Sequence, residues 1–163
     1  MIREVQGDIL LSKAAGIAHG VAPGDHFETG LALQLREQWP AMVRDFRHYC
    51  HTTHPAPGQL WTWAGANGQR VFNLLTQDAA PGEHSHSRPG RAKLEHVNHA
   101  LRALRKVVEE EKLASLALPR LATGVGGLAW EEVKPLVQQH LGDLAIDVYV
   151  YTGYQKGVTA AEA

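Results

Sequence analysis

The segment 115–130 constrains the fold of this chain more than any other part of its sequence. Residues 115–121, SLALPRL, form a short and almost wholly apolar run, which is typical of a strand buried on both faces of a sheet. Gly124, Gly126 and Gly127 follow at once, and a helical pattern begins at about Trp130. A buried strand that passes through a glycine-rich turn into a helix is characteristic of α/β proteins. The sequence therefore predicts an α/β fold.

The remaining periodic segments extend this unit into a mixed sheet. An Asn67-Gly68 turn between two strand-like runs predicts a β-hairpin, and therefore one antiparallel strand pair. Pro40 interrupts a helical pattern and suits the first turn of a second helix. Strands are predicted at 2–6, 15–20, 59–64, 70–76, 115–121 and 145–151, and helices at 31–46 with a break at Pro40, 91–112 and 130–141.

Charge and composition exclude several classes of protein. The chain has 163 residues, the size of one domain, and carries 16 Lys and Arg against 17 Asp and Glu, so no non-specific nucleic-acid binding is expected. Cys50 is the only cysteine, which excludes an internal disulfide and a cysteine-based zinc site. The sequence has neither a membrane-spanning apolar run nor a signal-peptide pattern. We therefore expect a soluble, cytoplasmic, single-domain protein with no membrane partner.

The glycine-rich segment predicts a site for a phosphate-bearing ligand. A glycine loop that opens a helix presents free N–H groups and the positive end of the helix dipole, although such a loop can also be a simple tight turn. It lacks the Gly-Lys-Ser/Thr of a P-loop. GVGGLA at 124–129 satisfies a dinucleotide fingerprint, with Asp147 roughly twenty residues on, but only one predicted strand follows it. A nicotinamide-dependent oxidoreductase therefore stays a remote alternative.

A second group of residues follows the first two predicted strands. Asp8, in Gly7-Asp8-Ile9-Leu10, can accept from the exocyclic amine of a base, but Gly-Asp is also an ordinary turn. Residues 18–34, AHGVAPGDHFETGLALQ, form a strand, a glycine-flanked loop and a helix. We expect Phe27 to be exposed in that loop and Thr29 to cap the helix.

These segments, with VFNLLTQ at 71–77, LPRLATGVGGLAW at 118–130 and a final YVY strand, resemble the macrodomain family over nearly the whole chain. The most specific piece is the pattern PR-x-x-x-G-x-x-x-L-x-W. The most similar branch contains terminal ADP-ribose protein glycohydrolases, DNA ADP-ribosyl glycohydrolase antitoxins and ADP-ribose-1″-phosphate phosphatases. The resemblance implies a three-layer α/β/α fold around a mixed sheet of about six strands. We expect one macrodomain over 1–155 and a disordered tail over 156–163.

The resemblance also implies a ligand, ADP-ribose or an ADP-ribosylated target. We expect no cofactor and no metal. Asp8 and Ile9 would hold adenine, Tyr151 or Tyr154 would cover it, loop 20–30 would wrap the distal ribose, and residues 123–128 would bind the diphosphate. The residues implied to bind ligand are Asp8, Ile9, His19, Gly20, Thr29, Gly30, Leu31, Thr123, Gly124, Val125, Gly126, Gly127, Leu128, Tyr151 and Tyr154.

Two departures from the branch concern catalysis. Its glycohydrolases carry a nucleophilic lysine just after the middle strand, where this chain has Gln77, and an acidic residue in the glycine loop, which 124–129 lacks. A second macrodomain branch, with an Asn ahead of a triple-glycine loop, does not match because His19 and residues 28–30 stand there. The catalytic candidates are His19, Asp25 and His26, since imidazoles and carboxylates suit acid–base work. His19 can instead be a structural hydrogen-bonding residue.

The other histidines are weaker candidates for catalysis. The long loop 78–90 carries further titratable groups near the expected distal ribose, Asp78, Glu83, His84 and His86, of which the two histidines are expected to be solvated. Arg88 and Arg91 flank this loop and either meet a ligand phosphate or are solvated. The cluster His48, Cys50, His51 and His54 has some metal-ligating character, but histidines at a helix end also complement the dipole, and no metal is expected. The sequence thus predicts an ADP-ribose-binding macrodomain, with ADP-ribosyl or ADP-ribose-1″-phosphate hydrolysis as one function and a non-catalytic reader as the alternative.

Overall fold

The structure, a computed structural model, describes residues 1–80 and 90–162. Within these ranges the chain forms one six-stranded sheet, four α-helices and a short 3₁₀ helix, Ile9–Leu11. The strands are β1 Ile2–Gly7, β2 Gly16–Val21, β3 Leu60–Ala64, β4 Arg70–Leu75, β5 Ser115–Pro119 and β6 Asp147–Tyr154; the helices are α1 Gly30–Gln38, α2 Pro40–Thr53, α3 Leu94–Glu111 and α4 Trp130–Leu141.

The sheet is mixed, as predicted. Its order is β1-β6-β5-β2-β4-β3, and only the β3–β4 hairpin is antiparallel. The carboxyl ends of the five parallel strands therefore meet at one edge. This edge carries Asp8 after β1, loop 22–29 after β2, Gln77 after β4 and the glycine-rich loop after β5. In open α/β sheets, ligands bind at this edge.

Helices cover both faces of the sheet because strand residues alternate between them. In β4, Phe72 and Leu74 pack with α3 and α4, whereas Val71 and Leu75 pack with α1 and α2. In β6, Val148 and Val150 face the α3 and α4 layer, and Tyr149 faces the other side. The three-layer α/β/α architecture is confirmed. In the part of the chain that is described, no helix has the length and apolar character needed to cross a bilayer.

Three local expectations differ from the structure. Phe27 is fully buried rather than exposed, because its φ of 58° turns the ring inward against Phe46, 5.4 Å between ring centroids. Thr29 stands at the N-cap of α1 with extended backbone, but its hydroxyl caps no N–H group among the described residues. Pro40, by contrast, is the first residue of α2, as predicted.

The third difference concerns the tail, where residues 156–162 lie against β1 and the 3₁₀ helix instead of forming a disordered end. Asp8 N donates to Val158 O at 2.7 Å, and Gly157 N donates to the Asp8 carboxylate at 2.9 Å. The Glu162 carboxylate accepts from Ser12 Oγ at 2.6 Å, Lys13 N at 3.0 Å and the Tyr151 hydroxyl at 2.7 Å. These bonds compensate the chain entropy that would otherwise favour disorder.

Candidate functional site

A cleft with two joined compartments lies at the carboxyl edge of the sheet. The tyrosine compartment, about 560 Å³, is bounded by Ile9, Tyr151 and Tyr154. The inner compartment, about 240 Å³, is bounded by His19, Asp25, Gln77 and the glycine-rich loop. Gly30, Leu31, Pro119 and Arg120 line both compartments, so the two form one continuous site.

The glycine-rich loop borders this cleft with residues whose N–H groups are unused. None of the described residues accepts a hydrogen bond from the N–H groups of residues 123–126. Thr123 borders the tyrosine compartment, and Gly124, Val125 and Gly126 border the inner one. Successive free amides in a turn attract an anion.

The last two residues of the expected diphosphate segment differ, because their N–H groups are used inside the loop. Gly127 N donates to Gly124 O at 3.0 Å, and Leu128 N donates to Ala122 O at 2.9 Å. Gly127 has a φ of 78°, and a Cβ there would stand 2.7 Å from Nη2 of Arg91. The donor set for an anion is therefore residues 123–126, with the Arg91 guanidinium close by.

The start of α1 borders both compartments. Gly30 has a φ of 60°, and Gly30 and Leu31 line the cleft at the first turn of a nine-residue helix. The first N–H groups of a helix have no partner within it and carry its positive dipole end. The helix therefore adds to the anion-binding character of the glycine-rich loop.

Asp8 and its neighbours lie beside the tyrosine compartment. Asp8 is buried, and its carboxylate accepts from Leu10 N at 3.0 Å and from Gly157 N. Tyr154 is 46% exposed, and partial burial together with the Asp8 charge raises its pKa. Tyr151 is 5% exposed, and burial and its bond to Glu162 raise its pKa. Of the two expected tyrosines, Tyr154 thus presents more surface to a ligand.

His19 lines the inner compartment in a structural setting. Its Nε2 lies 2.5 Å from Asn73 Oδ1, while Asn73 Nδ2 donates to Trp61 O at 3.4 Å. This pairing assigns the proton to Nε2 and leaves Nδ1 as the acceptor. Burial, only partly offset by the bond to Asn73, lowers the His19 pKa to about 4. His19 is therefore neutral at pH 7, and an imidazolium acid is not formed there.

Asp25 and His26 are neighbours that face different spaces. The Asp25 carboxylate lines the inner compartment and accepts from Phe27 N at 2.8 Å and Ala22 N at 3.2 Å. Burial raises its pKa, and the two backbone bonds oppose that rise. His26 borders a separate groove beside α2 and is not among the residues that line the cleft. The structure thus brings Asp25 and His19 together and turns His26 away.

Gln77 stands at the floor of the inner compartment. It is 5% exposed, and its Nε2 donates to Gly90 O at 3.0 Å. The next residue, Asp78, is held by Lys93 at 3.3 Å and His96 at 3.0 Å, and the His96 bond is the main cause of its lowered pKa. Glu83, His84, His86 and Arg88 lie outside the described residues.

Arg120, which lines the cleft, and Asn73, which lies behind His19, are functional residues that the sequence-based site did not include. Arg120 follows β5 directly, lines both compartments, and lies over the Trp130 ring at 5.7 Å. Its place immediately after a buried strand, at the edge where ligands bind, was the available signal. Asn73, which orients His19, had no such signal because it lies inside a strand.

The histidine and cysteine cluster on α2 forms no metal site among the described residues. His48, Cys50 and His51 lie along α2, and His54 follows its end with a φ of 48°. Cys50 Sγ accepts from Gly24 N at 3.3 Å, and burial raises its pKa. The thiol therefore helps to hold loop 22–29 in place.

The fold and the cleft together define a three-layer α/β domain whose cleft, at the carboxyl edge of the sheet, is bordered by a glycine-rich loop and the start of a helix. The family model of the Macro domain matches residues 30–137, and the chain belongs to this family.

Two curated relatives and one solved macrodomain are similar to this chain in sequence and in structure. A DNA ADP-ribosyl glycohydrolase from Thermus aquaticus is 29% identical over 156 residues, which are 93% of this chain and 41% of that protein. A protein of the same name from Mycobacterium tuberculosis is 27% identical over 99% of this chain and 46% of its own length. The macrodomain of Thermus aquaticus DarG has a TM-score of 0.79 at 28% identity, covering 93% of this chain and 98% of that structure. The chain spans less than half the length of the two glycohydrolases.

Proposed function

We propose that this chain binds ADP-ribose in the cleft and hydrolyses the bond between the distal ribose and an acceptor. The observation that carries the proposal is the order of parts along the cleft. An aromatic compartment is followed by four N–H groups, at residues 123–126, that have no acceptor among the described residues, and then by a small compartment that includes His19, Asp25 and Gln77. A diphosphate with adenosine on one side and a second ribose on the other matches that order.

Each part of the ligand has a place in this proposal. The adenine lies against Ile9 and Tyr154, with the Asp8 carboxylate as acceptor for its amine. The diphosphate accepts from the N–H groups of residues 123–126 and from the start of α1, near the Arg120 guanidinium. The distal ribose lies in the inner compartment, within reach of Asp25. Fixed backbone donors bind a small dianion without requiring an overall basic chain.

Asp25 is the group proposed to act on water. The carboxylate is fixed by the hydrogen bonds that it accepts from Ala22 N and Phe27 N. Each of its oxygens keeps a further lone pair that can accept from a water molecule. The water oxygen bonds to the anomeric carbon, the bond from that carbon to the acceptor breaks, and the water proton passes to Asp25. The departing acceptor takes a proton from solvent. This route needs no lysine at position 77.

The acceptor in this proposal is DNA. The two relatives from Thermus aquaticus and Mycobacterium tuberculosis are named as DNA ADP-ribosyl glycohydrolases, and both match more than nine-tenths of this chain. An acceptor attached to the distal ribose would leave the cleft from the inner compartment, next to loop 22–29.

A second candidate function is a reader that binds ADP-ribose without cleaving it. Gln77 favours this reading, because a primary amide is not a nucleophile and its Nε2 is already bonded to Gly90 O. The two functions share the same binding site and differ only in whether the bound ligand is turned over.

One experiment tests binding and separates the two functions. Calorimetry with ADP-ribose measures binding, and release of ADP-ribose from an ADP-ribosylated single-stranded oligonucleotide measures turnover. We expect Asp25→Asn to lower turnover about a hundredfold or more and to change the Kd for ADP-ribose by less than about threefold. Asp147→Asn, at an exposed carboxylate on the far end of β6, is the matched control and should leave both values unchanged.

The outcomes have different consequences. No binding of ADP-ribose by the parent chain would overturn the proposed function as a whole. Binding with no release above the buffer rate would establish the reader. Release that Asp25→Asn leaves intact would remove Asp25 from the mechanism.

A further inference from the structure

A second concave surface, the α2 groove, lies beside loop 22–29 and is separate from the cleft. It encloses about 1030 Å³. Arg44, Arg47, His48 and His51 occupy positions i, i+3, i+4 and i+7 on one face of α2, and all are exposed. Arg36 and His26 border the same groove from the side of α1 and the loop.

The α2 groove concentrates positive charge in a chain that is neutral overall. Three arginines line it, Arg36, Arg44 and Arg47, against one acidic residue, Glu37. The whole chain has a formal charge of −1. Asp45 contacts Arg44 only at 3.9 Å and accepts from the Trp63 indole, so it faces β3. Among the described residues Arg47 has no ion pair or hydrogen bond, and the Arg44 side chain is 79% exposed. Both guanidinium groups are accessible to a ligand.

The α2 groove adjoins the reacting end of the cleft. Three consecutive loop residues separate the two: Asp25 lines the inner compartment, while Gly24 and His26 line the groove. Cys50 holds Gly24 through its sulfur, and Arg36 Nη1 donates to His26 O at 3.3 Å. An acceptor that leaves the inner compartment past Asp25 thus meets the groove one residue away.

We propose that the α2 groove binds the phosphodiester backbone of the single-stranded nucleic acid that carries the ADP-ribosyl group. The inference rests on the proposed function. Arginine forks match phosphate oxygens, and the planar guanidinium and imidazole groups offer surfaces on which unpaired bases stack. An acidic peptide would pair with the arginines, but its side chains would not stack on the planar groups of the groove. The chain therefore binds nucleic acid locally, at a charged groove, although its total charge predicts no general affinity for polyanions.

Fluorescence anisotropy with a labelled oligothymidylate tests this groove on the full chain. The test variant is Arg44→Gln/Arg47→Gln, and the matched control is Arg102→Gln/Lys106→Gln, which removes the same charge from exposed positions on α3. We expect the test variant to weaken oligothymidylate binding about tenfold while the control changes it less than about twofold. The slope of log Kd against log salt should fall by roughly 1.4 in the test variant, about 0.7 for each lost phosphate contact.

ADP-ribose binding, measured on the same variants, keeps this proposal distinct from the proposed function. An unchanged Kd for ADP-ribose with weakened oligothymidylate binding supports the groove. No oligothymidylate binding by the parent chain, equal loss in both variants, or equally tight binding of a heptaglutamate peptide would overturn it, whatever the result with ADP-ribose.

Discussion

The His19 imidazole illustrates how burial determines the chemistry of a single side chain. It lies against the edge of Phe27, 5.6 Å between ring centroids, and its Nε2 is paired with Asn73. The ring is 1% exposed, and the pKa falls from 6.5 to about 4. A histidine suited by type to acid–base catalysis is therefore held neutral as part of the wall of the inner compartment.

This setting predicts an acid-dependent loss of stability. Because the pKa of His19 is lowered on folding, its contribution to stability is complete above pH 6.5 and is lost as the pH falls toward 4. The free energy of unfolding should fall by about 3 kcal/mol across that window on account of His19. Denaturant unfolding at several pH values measures it, with His19→Gln as the comparison.

The His19→Gln protein should show a smaller decrease than the parent over the same pH range. His140, whose pKa is also lowered chiefly by burial, remains in both proteins, so the difference between the two curves is the quantity to compare. Parallel curves would show that His19 is not the group responsible.

At the level of elements, the glycine-rich loop keeps the backbone N–H groups of residues 123–126 without an acceptor among the described residues. Ala122 has a φ of 63°, Gly127 closes the loop onto Gly124, and Ala92 N donates to Gly126 O at 3.0 Å. These bonds hold the loop without using the N–H groups of residues 123–126. The loop therefore offers donors without the lysine that a P-loop would supply.

Gly124→Val should block the cleft without harming the fold. A Cβ at Gly124 meets no atom within 4 Å, and the residue does not have a positive φ, so the free energy of unfolding should stay within about 0.5 kcal/mol of the parent. The added side chain occupies the inner compartment, and the affinity for ADP-ribose should fall about tenfold or more. Calorimetry and denaturant unfolding measure the two effects.

Ala129→Val is the matched control for this variant. It adds similar bulk at an exposed position of the same loop that does not line the cleft. Equal losses of affinity in the two variants would show that the loop responds to any added bulk and that residue 124 does not face the ligand.

At the level of the whole molecule, the tail joins parts of the chain that are far apart in sequence. Glu162 accepts from Ser12 and Lys13, and Gly157 donates to Asp8, across about 150 residues. A Cβ at position 7 would stand only 2.7 Å from Val158 O, so the glycine there lets the tail approach β1 closely. The tail thus holds Asp8, whose chain neighbours Gly7 and Ile9 line the tyrosine compartment.

Removing the Glu162 carboxylate should loosen the tail and the tyrosine compartment together. Glu162→Ala loses three accepted hydrogen bonds that are partly exposed, and the free energy of unfolding should fall by about 1–2 kcal/mol. ADP-ribose affinity should fall several-fold, because Tyr151 loses the partner of its hydroxyl and Asp8 is held by a less ordered tail. Glu110→Ala, at an exposed residue near the end of α3, is the control. A stable variant with unchanged affinity would show that the tail does not support the site.

Much of the fold was predictable because it depends on local pattern. Periodicity and turn chemistry within a few residues predict the apolar stripe of α3, the position of Pro40 at the start of α2 and the Asn67-Gly68 hairpin. The glycine-rich loop was predictable for the same reason. The prediction that Phe27 is exposed was wrong, because its burial depends on a backbone turn and on packing against Phe46 of α2, which lies further along the chain.

The sequence by itself determined that this chain is an α/β domain with a glycine-rich loop between a buried strand and a helix, and with no lysine at the position of Gln77. These features depend only on residue types and their spacing along the chain. Only the tertiary structure decided which donors remain free, that His19 is neutral, that His26 faces the α2 groove, and that the tail reaches Asp8. Those properties depend on desolvation and on hydrogen bonds between residues far apart in the chain, which local sequence does not encode.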